Sequence, residues 1–214
     1  MSLQELIESH KRFREKYHKK YYEKFQELVE KGQRPKSLFI GCSDSRVVPN
    51  LITDADPGEL FVIRNVGNFI PPFKPDSDYH GTAAAIEYAV SVLKVENVIV
   101  CGHTHCGACE HLYHEIPDDE ELIHVKKWLE IAEPVKQRVL SIHAADDEKR
   151  YRLTEKFNVI EQLFNLFSYP AIQKGAMEGS LTLQGWYYDI GSGKIEYYDP
   201  ESDGFEPVTT ALKH

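Results

Sequence analysis

The chain has 214 residues, of which 42% are hydrophobic, and this is enough for one globular domain with a sizeable core. Lys and Arg total 25 against 34 Asp and Glu, so the formal net charge is −9 and nucleic acid is not an expected partner. The sequence has neither a long apolar run nor a secretory signal pattern, so we expect a cytoplasmic protein that does not associate with membranes.

The N-terminal segment has the pattern of an amphipathic helix. Apolar or aromatic side chains recur every three or four residues over residues 2–31, separated mostly by charge, and Gly32 and Pro35 follow. We interpret residues 1–31 as a helical arm that lies on another subunit or on the main sheet. A first core helix would show the same periodicity, so that alternative stays open. Residues 32–214 are expected to form a single α/β domain.

Short apolar segments alternate with helical patterns in this domain. The predicted strands are 37–41, 60–63, 97–101 and 181–183, and the predicted helices are 79–93 and 151–167. This order predicts an α/β fold with a central, mainly parallel β-sheet flanked by helices. Segments 186–188 and 195–198 flank Gly191-Ser-Gly193, which predicts an antiparallel hairpin at one edge of the sheet near the C-terminus.

Two polar clusters follow predicted buried strands. The first is Cys42-Ser-Asp44-Ser-Arg46, and the second is His103-Thr-His-Cys106-Gly107. Open α/β sheets bind ligands beyond the carboxyl ends of their strands. We therefore expect both clusters at the same edge of the sheet, where they would form one site.

The residue types in these clusters suit a catalytic zinc ion. Two thiolates and one imidazole fit a tetrahedral zinc site whose fourth position holds water, and Cys42, His103 and Cys106 supply this set. His105 is an alternative to His103, which we favour because it directly follows the strand. Cys101 is expected to be a core residue, since cysteine is among the most frequently buried residue types.

Asp44 and Arg46 admit two interpretations. As an ion pair, they could simply hold the loop together. Alternatively, the carboxylate could accept the hydrogen bond of a metal-bound water, while Arg46 keeps it ionised and in place. The position of both residues beside Cys42 favours the second interpretation.

The order of these motifs resembles that of the β-class carbonic anhydrases. The resemblance begins with Cys42-x-Asp44-x-Arg46 and His103-x-x-Cys106, and covers essentially the whole chain. Further blocks follow in the family's order at residues 39–47, 57–65, 81–89, 98–103, 158–163 and 183–187. The resemblance implies reversible hydration of CO2 to bicarbonate and a proton, and with it a role in carbon utilization. It also implies one zinc ion per chain, held by Cys42, His103 and Cys106. Asp44 and Arg46 fall on the family's catalytic pair.

The resemblance also implies a substrate pocket and a subtype. In one subtype water is the fourth zinc ligand, and the positions that bind substrate correspond here to Gln33, Phe61, Val66, Tyr88 and Gly107. The other subtype has a regulatory bicarbonate site with a Trp three residues before the first cysteine ligand. That residue is Phe39 here, so no such site is expected although Arg64 is present. If Arg46 released Asp44, the carboxylate could become the fourth ligand and close the site.

The resemblance implies CO2, bicarbonate and water as small-molecule partners. It also implies a homodimer as the minimal unit, with the pocket at the dimer interface, and is compatible with a tetramer or a larger assembly. Zinc lowers the pKa of a bound water toward ~7, but two thiolates weaken this effect, so activity should rise toward mildly alkaline pH.

Three alternative functions are compatible with the same residues. One is hydrolysis of a CO2-like molecule, such as carbonyl sulfide or carbon disulfide, at the same metal site. The second is a structural zinc-binding interaction protein, in which Cys109, His105 or Asp44 closes the site. The third is a thiol redox protein that uses the Cys106-x-x-Cys109 spacing.

Overall fold

The computed structural model describes residues 1–76, 78–117 and 119–208, so residues 209–214 of the expected domain lie outside the described part of the chain. Within these ranges, six strands form one sheet in the order β2-β1-β3-β4-β5-β6. The first four strands pair in parallel and the last two pair antiparallel, which confirms the expected fold class. The strands are β1 (Ser37–Cys42), β2 (Leu60–Asn65), β3 (Asn97–His103), β4 (Thr182–Tyr188), β5 (Ile195–Asp199) and β6 (Gly204–Pro207).

The α-helices are α1 (Leu3–Arg12), α2 (Tyr22–Lys31), α3 (Pro49–Ile52), α4 (Gly81–Glu87), α5 (Gly107–His111), α6 (Ile123–Leu129), α7 (Glu133–Ile142), α8 (Asp147–Phe167) and α9 (Pro170–Met177). Phe13–His18 and Tyr88–Leu93 are π-helical, and Val66–Asn68, Glu120–Leu122 and Glu130–Ala132 are 3-10 turns. None of the helices in the described ranges is both long enough and apolar enough to span a bilayer.

The main core lies between one face of the sheet and three of these helices. Because side chains alternate along a strand, Leu38 and Ile40 of β1 point to this face together with Val98 and Val100 of β3. Ile86 of α4, Leu166 of α8 and Ile172 of α9 close the core from the other side. The opposite face carries a smaller cluster of Phe39, Ile99, Cys101, Trp186 and Tyr188.

Several predicted boundaries differ from the structure. The helix expected at 79–93 begins at Gly81, and the helix expected at 151–167 begins at Asp147, because the Asp146 carboxylate accepts the Lys149 N–H at 2.7 Å. Predicted strand 181–183 and hairpin strand 186–188 are wrong as separate elements, since β4 runs unbroken from Thr182 to Tyr188. Gly185 lies inside this strand. A Cβ there would lie 2.8 Å from Val159, so the glycine lets α8 approach the strand.

The N-terminal segment is helical from Leu3 to Lys31 apart from a break around Tyr21. Ser2 accepts the Glu5 N–H and Glu5 accepts the Ser2 N–H, which fixes the start of the first helix. Several of its large apolar side chains are exposed, Leu3 at 75% among them, while Leu28 packs against Gly58. The segment has an apolar surface that its own chain leaves uncovered, and its role as an arm on a second subunit stays a prediction.

Candidate metal and catalytic site

Two neighbouring strands bring the predicted metal ligands together. Cys42 is the last residue of β1, His103 is the last residue of β3, and Cys106 follows in the turn after β3. Since β1 and β3 pair in parallel, their carboxyl ends meet at one edge of the sheet. The ligand atoms of all three side chains lie within 4.8 Å of one another, and all three residues are buried. The structure thus contains the expected two-thiol, one-imidazole cluster.

The imidazole of His103 is oriented as a metal ligand. Its Nδ1 lies 2.9 Å from the Thr104 carbonyl oxygen, which can only accept, so Nδ1 carries the proton. Its Nε2 is buried and has no hydrogen-bond partner among the described residues. A buried, unprotonated and unpaired nitrogen beside two thiols is costly unless a cation binds it. The donor set therefore fits zinc.

The thiols in the cluster are packed tightly. Hydrogen bonding with Cys106 and burial raise the pKa of Cys42 to about 12, and hydrogen bonding with Cys109 raises the pKa of Cys106 well above its usual value. Cys109 is buried against both ligand cysteines, and Cys101 belongs to the apolar cluster on the sheet. The four cysteines, all within the described part of the chain, are free.

Asp44 and Arg46 form a bidentate ion pair beside the cluster. Arg46 Nε donates to Asp44 Oδ1 at 2.9 Å, and Arg46 Nη2 donates to Oδ2 at 2.6 Å. Arg46 Nη2 also donates to the His105 carbonyl oxygen at 2.9 Å and so connects the segment after β1 with the segment after β3. These hydrogen bonds from Arg46 hold the pKa of Asp44 well below its usual range. An ionised carboxylate is thereby fixed two residues from Cys42.

Arg64 supports the same loop from β2. Its Nε donates to the Cys42 carbonyl oxygen at 3.0 Å, and its Nη2 donates to the Asp44 carbonyl oxygen at 2.6 Å. The guanidinium therefore holds the main chain that carries the first ligand and the carboxylate.

Two of the residues expected in the substrate pocket lie at this edge. Val66 follows Asn65, which pairs with Cys42, and Val66 is 46% exposed. The next residue, Gly67, approaches Ala108 so closely that a Cβ on it would lie 2.9 Å from the alanine methyl group. Gly107 is adjacent to the ligand Cys106 and is exposed.

The other three pocket residues lie toward the opposite end of the sheet of the same chain. Phe61 pairs with Leu38, four residues before Cys42, which is about 13 Å along the strand. The Tyr88 ring lies 6.0 Å from the Phe61 ring, centroid to centroid. Gln33 precedes β1 altogether, and its neighbours Gly32 and Arg34 line a cavity with Leu60. A single chain therefore does not bring all five expected pocket residues together.

Sequence reasoning missed a buried carboxylate next to the turn that carries Cys106. Glu155 of α8 accepts the Cys106 main-chain N–H at 2.9 Å and the Tyr187 hydroxyl at 2.6 Å. Burial raises the pKa of Glu155, and hydrogen bonds from Tyr187 and from the main chain of Cys106 and His105 oppose that rise. The sequence held one signal for this residue, because Glu155 stands one helical turn before Val159 on the buried stripe of the predicted helix.

Comparisons with known proteins give one consistent family for the chain. Residues 37–195 match the family model described as carbonic anhydrase. A carbonic anhydrase of Helicobacter pylori strain J99 is 43% identical over 199 residues, which cover 88% of this chain and 89% of that protein. One of Pseudomonas aeruginosa strain PAO1 is 40% identical over 209 residues, which cover 95% of this chain and 90% of that protein.

Solved structures of the same family are similar to this chain over most of its length. The β-carbonic anhydrase CcaA has a TM-score of 0.91 at 40% identity, with 99% of this chain and 94% of that chain covered. A tetrameric β-carbonic anhydrase of Sordaria macrospora has a TM-score of 0.80 at 29% identity, with 91% and 95% covered.

Proposed function

Since this chain belongs to the β-class carbonic anhydrases, zinc enzymes that hydrate CO2 reversibly to bicarbonate, we propose that Cys42, His103 and Cys106 hold its zinc. Asp44 and Arg46 are proposed to act in the reaction. The convergence of the three ligand atoms within 4.8 Å, beside an Asp-Arg pair, carries this proposal. The comparisons favour neither of the other zinc functions, hydrolysis of carbonyl sulfide or carbon disulfide and a structural zinc site.

The roles of the residues follow from their chemistry. Zinc, when bound, supplies a Lewis acid that lowers the pKa of water toward ~7. Asp44 accepts the hydrogen bond of the attacking water and turns its lone pair toward the carbon of CO2. Arg46 occupies both carboxylate oxygens and so keeps Asp44 from acting as a fourth ligand. We therefore assign the chain to the subtype in which water completes the zinc site.

The substrate pocket is proposed to form between two subunits. Val66 and Gly107 face CO2 from the chain that holds the zinc. Phe61, Tyr88 and Gln33 come from the partner, because within one chain they lie at the wrong end of the sheet. The exposed apolar surface supports this arrangement, since Tyr88 is 45% exposed in the single chain. The homodimer is the minimal active unit, and the helical arm of residues 1–31 covers the second subunit.

The compartment is proposed to be the cytoplasm, with a role in carbon utilization. Four free, buried cysteines suit a reducing environment, because zinc-binding thiols lose their function when they are oxidised.

Stopped-flow CO2 hydration tests the proposed function. Protein purified without chelator should hydrate CO2, with kcat rising between about pH 7 and about pH 9. Removal of zinc by a chelator should abolish the activity, and added zinc should restore it. A zinc-loaded protein that hydrates no CO2 but hydrolyses carbonyl sulfide or carbon disulfide would contradict the assignment.

A further inference from the structure

We propose that Glu155 is a positioning residue for the zinc ligand Cys106. Its carboxylate fixes the main chain of the turn that carries this ligand, so that the thiolate reaches the metal. The inference rests on the proposed ligand set. The proposed residue belongs to α8, which is far from the other site residues along the chain, whereas the rest of the site is formed by strand ends and the turns that follow them.

The carboxylate of Glu155 is held by donors on both oxygens. Oε1 accepts the Cys106 N–H at 2.9 Å and Arg152 Nη2 at 2.8 Å, while Oε2 accepts the Tyr187 hydroxyl at 2.6 Å. Glu155 is only 1% exposed. Burial of a charge at this depth is costly unless hydrogen bonds and an opposite charge compensate it, and these three donors provide both. The oxygen that faces Cys106 is therefore fixed in place.

The turn that carries Cys106 depends on such an acceptor. Cys106 is the N-cap residue of the short helix α5, with φ −74° and ψ 111°, so its N–H points outside the helix. The preceding residue, His105, has a φ of +57°, which is unfavourable for a residue with a side chain. A turn with this conformation needs support from outside, and the Glu155 carboxylate supplies it at the ligand itself.

The helix that carries Glu155 is held against the same strand as His103. A Cβ on Gly102 would lie 2.6 Å from Val159 and 3.4 Å from the Glu155 carbonyl oxygen. The glycine therefore permits a close approach between α8 and β3, one residue before the ligand His103. Tyr187, which pairs with Gly102 in the sheet, reaches the Glu155 carboxylate from β4. The position of the carboxylate relative to the ligands is thus set by main-chain packing.

The negative charge is the feature that the experiment should remove. Hydrogen bonds to an ionised acceptor are roughly twice as strong as those between neutral groups. Glu155→Gln keeps the shape of the side chain but removes its charge, so the Cys106 N–H meets either a neutral amide oxygen, which is a weaker acceptor, or an opposing amide N–H. Tyr187→Phe is the matched control, because it removes a hydrogen bond to Oε2 and leaves the Cys106 contact intact.

Zinc affinity of the full-length chain is the main readout, measured by competition with a chromophoric chelator. The absorption of the cobalt-substituted protein is the second, because its thiolate-to-metal bands report the geometry of the cysteine ligands. We expect Glu155→Gln to weaken zinc binding about 10-fold or more and to shift the cobalt bands, as removal of a metal site's supporting residue typically does. Tyr187→Phe should change zinc affinity less and leave the bands in place.

The inference is overturned if Glu155→Gln binds zinc within about twofold of the parent, or no more weakly than Tyr187→Phe. If Glu155→Gln does not fold, Glu155→Asp replaces it. The shorter side chain keeps the charge but withdraws the carboxylate from the Cys106 N–H, so this variant tests the contact itself, and we expect the same loss of zinc affinity. Cys106→Ser is measured alongside and should lose zinc. A Cys106→Ser protein with parental affinity would instead overturn the ligand set of the proposed function.

Discussion

Replacement of Asp44 with asparagine is expected to leave zinc bound while kcat for CO2 hydration falls by about 10²- to 10⁴-fold, the range for loss of a proton-accepting group. The two side chains have nearly the same shape, so the loop retains its path. The amide, however, cannot accept the hydrogen bonds of both Arg46 and the reacting water as a carboxylate does. Zinc per chain and stopped-flow rates on the same sample provide the measurement.

The matched control is Asp147→Asn. Asp147 also forms an ion pair with an arginine, Arg150, but on the exposed surface of α8. This variant makes the same change in charge and should retain parental activity, because exposed ion pairs contribute little. A fully active Asp44→Asn protein would contradict the catalytic role of Asp44. Loss of zinc in that variant would show that the carboxylate helps to hold the metal.

A hybrid dimer is expected to recover activity that neither of its parent variants has. One subunit carries Cys42→Ser, which removes a proposed zinc ligand, and the other carries Tyr88→Ala, which removes part of the proposed pocket. If each pocket combines the zinc of one chain with the Tyr88 of its partner, the hybrid contains one intact site. Differently tagged subunits, co-expressed and purified through both tags, should show about half of the parental CO2 hydration per dimer.

Both homodimers serve as controls for the hybrid. Cys42→Ser should be inactive, and Tyr88→Ala should be strongly impaired. A hybrid no more active than the Tyr88→Ala homodimer would place Tyr88 in the pocket of its own chain and contradict the shared site. Parental activity in the Tyr88→Ala homodimer would contradict the substrate role of Tyr88 itself.

The parts of the site that could be predicted from the sequence are those where chemistry directly follows a strand. Cys42 and His103 each end a short apolar segment, and parallel pairing brings such ends together without any knowledge of side-chain packing. The same pattern predicted the sheet and its flanking helices. Asp44 and Arg46 lie too close to Cys42 along the chain to be placed elsewhere, although their bidentate contact required the structure.

Long-range packing accounts for what the sequence did not reveal. Gly185 separates two segments that we predicted as distinct strands, yet it lies inside β4, where α8 packs closely over it. Glu155 is one acidic residue among many in a charged helix, and only the docking of that helix brings its carboxylate to the Cys106 N–H. The separation of Phe61 from Cys42 depends on strand register, which hydrophobic pattern alone does not fix.

The most direct test of the central claim is X-ray absorption at the zinc edge of the purified full-length protein. Ligation by Cys42, His103 and Cys106, with water as the fourth ligand, predicts two sulfur atoms at ~2.3 Å and two nitrogen or oxygen atoms at ~2.0–2.1 Å. Three sulfur atoms would indicate that Cys109 closes the site as a structural ligand, and a single sulfur atom would remove one of the two cysteines from the ligand set. Either result would contradict the proposed catalytic centre.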